Sequence, residues 1–265
     1  MTRVLSGAVL LLLAVAVVWY APPVVFLIVA EGFLLLAFGE YAALARVSGV
    51  PVPEGLSALG AALTSAAFSR VVFSVSWLSM DVVLLAALVI LGTLTLARWR
   101  SGPDAIALAS ASLFPMLYLG LPFGAMIAVR ETEGREALFL LMLTVVVSDT
   151  AQYYTGRLFG RSPLAPAISP KKTIEGAVGG FVCGGAFLAL VGTWWLPDVP
   201  VTLRALLGVT IVAAGIAGDL FESMLKRSAG VKDSSSLIPG HGGVLDRFDA
   251  LLFAAPVYYI VLKYV

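Results

Sequence analysis

The sequence predicts an all-α, polytopic integral membrane protein with about nine transmembrane helices. Three observations carry that expectation. Of the 265 residues 60% are hydrophobic and only 12% charged, against roughly 25% charged in a soluble domain. Mean hydropathy is +1.00, which leaves too little polar surface to cover a globule in water. The apolar runs are long and continuous rather than alternating. In lipid every backbone group must bond internally, so such runs read as helices and not as barrel strands.

In chain order the spans are expected near Leu5–Tyr20, Val24–Leu44, Glu54–Val72, Asp81–Leu96, Ala105–Val129, Glu136–Leu158, Ile174–Leu196, Val201–Leu225 and Val244–Val265. The first follows a basic residue, as a signal peptide would, but no small-x-small cleavage site is evident. It reads as a retained helix. The third is the weakest. The fifth holds Pro115 and Pro122 and is expected to kink or break. Two regions are expected: N-terminal helices over 1–130 and a catalytic transmembrane domain over 131–265.

With a cytoplasmic N-terminus, 12 of the 17 Lys and Arg residues fall inside and 5 outside, as the positive-inside rule requires. This parity places the loop around Arg157–Thr173 and the loop around Lys226–Gly243 on one face. The net charge of +1 argues for no nucleic-acid partner. The single cysteine, Cys183, excludes an internal disulfide and a cysteine metal cluster. Span seven carries Gly176, Gly180 and Gly184 every four residues, a row that permits close helix packing. No GK[ST] accompanies it, so it does not read as a phosphate loop.

The chemistry-bearing residues gather near the inner ends of spans six to nine. Asp149 lies inside span six, where a carboxylate is costly and faces a partner or a wet cavity. In "AGDLFESMLKR" Asp219, Glu222, Ser223 and Lys226 share one helical face. After the loop, Asp246 and Asp249 stand at i, i+3. Four carboxylates from two helices then converge unless Lys226, Arg227 and Arg247 neutralise them structurally. Oxygen-only ligation suits Mg²⁺, and a proton or ion pathway is the other functional reading. The neighbouring Lys171, Lys172, Lys226, Arg227, Lys232 and Arg247 favour a polyphosphate with Mg²⁺ over cation conduction. "ISPKKTIEG" offers a helix N-terminus behind two lysines, a natural anion site, although capping alone explains Ser169 and Thr173. His241 sits in "PGHGG", whose glycines allow positive φ and close approach to a ligand. No zinc site and no G-x-S-x-G elbow is present.

The stretch "SMLKRSAGVKDSSSLIPGHGGVLDRFD", Ser223 to Asp249, resembles the signature of phosphatidate cytidylyltransferases (CDP-diacylglycerol synthases) in Ser223, Lys226-Arg227, Lys232-Asp233, His241-Gly242-Gly243 and Asp246-Arg247-Phe248-Asp249. The likeness extends to "SDTAQYYTGRLFGR" and "SPKKTIEG", with Gln152 where a small residue is expected. It implies transfer of CMP from CTP to phosphatidate with Mg²⁺, giving CDP-diacylglycerol and pyrophosphate, in a plasma or inner membrane with the site facing the cytoplasm. Under that resemblance Asp219, Asp246, Asp249 and Lys226 are catalytic. Asp219 and Asp246 hold the metal, with Asp249 and Glu222 as further ligands or supports. Lys171, Lys172, Ser223, Arg227, Lys232, His241, Arg247 and Asp149 bind substrate. A second, monovalent cation and a homodimer remain open, as do two alternatives: a related lipid phosphate as acceptor, or an ion- or proton-coupled transporter.

Overall fold

The computed structural model describes residues 12–72, 79–99, 104–238, 240 and 242–265. Residues 12–20 are helical (α1). There follow α2 (Pro23–Val47), α3 (Glu54–Ala66), α4 (Met80–Arg98), α5 (Ala105–Pro115), a π-helical turn over Met116–Gly120, α6 (Leu121–Thr132) and α7 (Arg135–Phe159). A two-stranded hairpin, β1 (Pro163–Ala165) and β2 (Ser169–Thr173), leads into α8 (Ile174–Trp195), α9 (Val201–Ser228) and α10 (Leu245–Lys263).

Among the described residues six helical segments are long and apolar enough to cross a bilayer: α2, α4, α5–α6 taken together, α7, α8 and α9. The class is all-α membrane, and the expected nine spans reduce to six that meet this measure. Span one begins outside the described residues. The expected third span is a 13-residue helix, about 20 Å long at 1.5 Å per residue against a hydrocarbon core of about 30 Å. The ninth, α10, starts with Asp246, Arg247 and Asp249 in its first turns, which makes that end too polar for lipid.

The proline break falls where expected and takes a definite form. Pro115 has no N–H for the carbonyl of Ala111 one turn back, and the helix widens into a π turn directly after it. The Tyr41 hydroxyl donates to that carbonyl instead, at 2.9 Å. Tyr41→Phe removes the substitute donor. It is expected to lower stability by about 1 kcal/mol, a fall in Tm of about 2–4 °C, read by thermal unfolding in detergent.

Apolar side chains on the outer faces of α4 and α8, such as Leu85, Val89, Val178 and Leu190, are exposed, as lipid contact requires. The inner faces form a core that runs unbroken from Leu34 on α2 through Phe123 and Leu141 to Tyr258 on α10. Glycines set the helix spacing around the future site. A Cβ on Gly180 would meet Gln152 Cγ at 2.6 Å, and one on Gly184 would meet Val212 Cγ2 at 2.5 Å. The glycine row is therefore filled by α7 and α9 of the same chain. On α9, a Cβ on Gly218 would lie 2.4 Å from the carbonyl oxygen of Asp249. That close crossing brings α10 against α9 beside Asp219.

Candidate active site at the inner ends of α7 to α10

The two basic loops meet. Arg227, at the end of α9, donates from Nε to Ile168 O in the hairpin (3.5 Å) and from Nη1 to Val231 O (3.1 Å). Lys172 on β2 pairs with Asp219 on α9, Nζ to Oδ2 2.5 Å. The hairpin itself is closed by Glu175, whose carboxylate accepts from the N–H groups of Arg161 and Ser162. Thr173 caps α8, its Oγ1 accepting from Gly176 N at 3.1 Å. The helix entry read at Thr173 is thus a cap. Ser169 opens a strand rather than capping a helix.

The polar residues form two layers. In the outer layer Asp219 receives Lys172 and the Ser223 hydroxyl (3.3 Å). Asp149, exposed on α7, lies in electrostatic range of Lys172 and Asp219. Gln152 holds it, donating from Nε2 to Asp149 Oδ1 (3.0 Å) and Ser148 Oγ (3.1 Å). Asp249 lies in range of both Asp219 and Asp149, and its carboxylate accepts the N–H of Ala250 at 2.7 Å. Lys171, Arg227, Lys232 and Arg247 are exposed around this layer.

The inner layer is buried. Lys226, on the face shared with Asp219, Glu222 and Ser223, stands between two carboxylates: Glu222, with which it forms an ion pair, and Asp246 Oδ1 at 2.5 Å. Asp246 Oδ2 accepts from Ser234 N (3.0 Å), Ser234 Oγ (2.8 Å) and Gly243 N (2.7 Å). Asp246 therefore faces four donors and is fully engaged within the protein. Glu222 is completely buried, and its Oε1 has no hydrogen-bond partner.

The sequence reading missed Glu40. This α2 residue is 6% exposed and accepts from Ser234 Oγ (2.8 Å), Ser235 Oγ (2.6 Å), Val244 N (2.9 Å) and Leu245 N (2.7 Å). No local pattern points to it, since its partners lie 194 to 205 residues away. The glycines after His241 serve these carboxylates. Gly242 has φ +77° and a Cβ there would be 2.6 Å from Asp246 Oδ2; a Cβ on Gly243 would be within 2.4 Å of Ser234 Oγ and both Glu40 oxygens. The close approach expected for a ligand is thus an approach to the protein's own acids. His241 lies outside the described residues.

A family profile described as the Cytidylyltransferase family matches residues 1–265. The chain belongs to the cytidylyltransferase family. Family membership covers the N-terminal helices too, beyond the resemblance read from Ser148 onward. The chain is 40% identical over 151 residues to the phosphatidate cytidylyltransferase of Aquifex aeolicus (strain VF5), which is 57% of this chain and 56% of that protein. It is 42% identical over 155 residues to the phosphatidate cytidylyltransferase of Mycobacterium tuberculosis (strain ATCC 25618 / H37Rv), 58% of this chain and 47% of that one. The protein of the same name from Helicobacter pylori (strain J99 / ATCC 700824) is 39% identical over 155 residues, 58% of each. The matched stretch spans about half the length of these relatives. They lend no support to the transporter reading.

Proposed function

We propose that the chain is a membrane nucleotidyltransferase that transfers CMP from CTP to phosphatidate, with CDP-diacylglycerol and pyrophosphate as products. The observation that carries this reading is the two-layer site. Acids and bases from α7, β2, α9 and α10 crowd together at the end of apolar helices, as a charged headgroup and a nucleotide triphosphate would need. The names of the relatives supply the nucleotide and the acceptor.

Mg²⁺ fits the donor set. Among the described residues no three His, Cys, Asp or Glu stand close enough to share an ion, but Mg²⁺ commonly takes one or two carboxylates and completes its shell with water and substrate phosphates. Asp219 and Asp249 would hold it, since Asp246 is already engaged by Lys226, Ser234 and Gly243. When bound, it would neutralise charge on the triphosphate.

The phosphatidate phosphate is largely dianionic near neutral pH, because the second pKa of such phosphates is about 6. It needs no strong base. Its oxygen forms a bond to the α-phosphorus of CTP as the bond to the bridging oxygen of pyrophosphate breaks, and the pair of electrons leaves with pyrophosphate. Catalysis is then placement and charge neutralisation. Lys171, Lys172, Arg227, Lys232 and Arg247 would grip phosphate oxygens. Lys226 would work from behind, as the counter-ion that fixes Glu222 and Asp246. Gln152 would hold Asp149 towards Lys172.

The cluster of basic groups at this end supports a site on the cytoplasmic face under the positive-inside rule. A cytoplasmic N-terminus requires an even number of crossings before the hairpin. The glycine row, filled within the chain, adds nothing to the case for a homodimer.

Purified protein given labelled CTP, phosphatidate vesicles and Mg²⁺ is expected to form labelled CDP-lipid and release one pyrophosphate per lipid. Folded protein that yields no CDP-lipid would overturn the reading. Product formed only from a different lipid phosphate would replace the acceptor.

A further inference from the structure

We propose that Glu40, on the N-terminal helix α2, is a positioning residue of this site that clamps the loop between α9 and α10 and so sets the affinity for CTP. The inference rests on the proposed function for its kinetic half only.

The geometry begins with α10. A helix N-terminus leaves its first N–H groups without internal partners, and α10 has no side-chain cap of its own at Val244. Glu40 caps it from another helix, taking the N–H groups of Val244 and Leu245 on its two oxygens. The same carboxylate takes the hydroxyls of Ser234 and Ser235 in the middle of the loop. The middle of the loop and its junction with α10 are therefore tied to one buried side chain.

Charge explains why the tie is strong. Glu40, Glu222 and Asp246 are three buried carboxylates, of which Glu222 and Asp246 pair with Lys226. Among the described residues no Lys or Arg pairs with Glu40; its carboxylate is met by backbone N–H groups at the positive end of α10 and by two hydroxyls. The Ser234 hydroxyl has one proton and stands 2.8 Å from both Glu40 Oε2 and Asp246 Oδ2. Glu40, Ser234, Asp246, Lys226 and Glu222 thus form one connected line from the N-terminal helices to α9. Along this line the loop carries exposed Lys232 and leads to exposed Arg247. If Glu40 lets go, those cations lose their fixed positions before CTP arrives, while the route of phosphatidate through the bilayer is untouched.

Glu40→Gln keeps the shape but puts an NH₂ group where an acceptor stood, against N–H and O–H donors. The KM for CTP is expected to rise by about tenfold or more, as for the loss of a charge-assisted hydrogen bond. The KM for phosphatidate should stay within about twofold. Glu40→Asp, which restores the carboxylate, should recover part of the CTP affinity. Limited trypsin digestion at Lys232 reads the clamp without catalysis and should run about tenfold faster in Glu40→Gln, through loop opening. A Glu40→Gln protein with wild-type KM for CTP and wild-type cleavage at Lys232 would overturn the proposal, as would equal rises in both KM values. Should Glu40→Gln fail to fold, Ser235→Ala removes one of the four bonds and must shift KM for CTP and cleavage in the same directions with Tm lowered by only about 2–4 °C; no shift sinks the clamp. If the wild type makes no CDP-lipid, the activity reading falls while the digestion still decides the clamp.

Discussion

Lys226→Met is expected to abolish CDP-lipid formation and to destabilise the protein by about 3–5 kcal/mol, the cost of removing one partner from a buried ion pair. The cause is local. Lys226 is 8% exposed and, among the described residues, is the only ammonium paired with Glu222 and Asp246. Without it, Glu222 is left with no counter-charge in a completely buried position whose Oε1 already lacks a hydrogen-bond partner. Asp246 fares better, because Ser234 and Gly243 still donate to it. The double variant Glu222→Gln/Lys226→Met should therefore regain a substantial part of the lost stability, since the buried acid left without a partner is gone. It should regain no activity, because Asp246 would still lack its anchor. Thermal unfolding and CDP-lipid formation, measured on the two variants side by side, separate the effects. A single variant as stable as wild type would show that the pair is not buried as described. A double variant with activity would show that Lys226 only balances Glu222.

How much of this was legible in the sequence differs between elements. Periodicity put Asp219, Glu222, Ser223 and Lys226 on one face, and the bonds from Ser223 to Asp219 and Lys226 to Glu222 follow from that spacing. The six apolar segments were legible because each is long and continuous. The basic loops were legible from parity as lying on one face, and their contact, through Arg227 and Ile168, was not. The hairpin was not: its strands are 3 and 5 residues long, hold two prolines, and show no alternation of apolar and polar residues. Glu40 was not, because a lone acid near a span end looks like a solvated one until its partners from the far end of the chain are in place. Nor could spacing tell that Lys226 would be enclosed between two acids while Lys172 would take Asp219. Both lysines are basic residues of one face in the sequence. Only the packing of α10 on α9 divides their roles.

That packing supplies the second large effect. Gly218→Ala is expected to lower CDP-lipid formation by about a hundredfold, the scale of loss for a misplacement of about 1 Å at a reacting site. A Cβ at this position would stand 2.4 Å from Asp249 O and 3.2 Å from Phe253 Cβ. The first of these is backbone, which cannot rotate away as a side-chain tip can. The helices must separate by roughly 1 Å to reach ordinary contact, and such overpacking costs about 1–3 kcal/mol. Asp219 is the next residue on α9, and Asp249 is the residue struck. The two carboxylates proposed to hold Mg²⁺ are thus moved apart by the same methyl group. Gly215→Ala is the internal control, one turn earlier on the same face. Its Cβ would meet only Ala250 Cβ at 3.6 Å and Ala250 O at 4.0 Å, which is ordinary contact, so activity should stay within about twofold. Raising Mg²⁺ should restore part of the activity of Gly218→Ala, because a weakened pair of ligands is filled by mass action. If both variants behave alike, the close crossing of α9 and α10 does not set the distance between Asp219 and Asp249. If Gly218→Ala is impaired equally at all Mg²⁺ concentrations, those two carboxylates are not the metal's ligands.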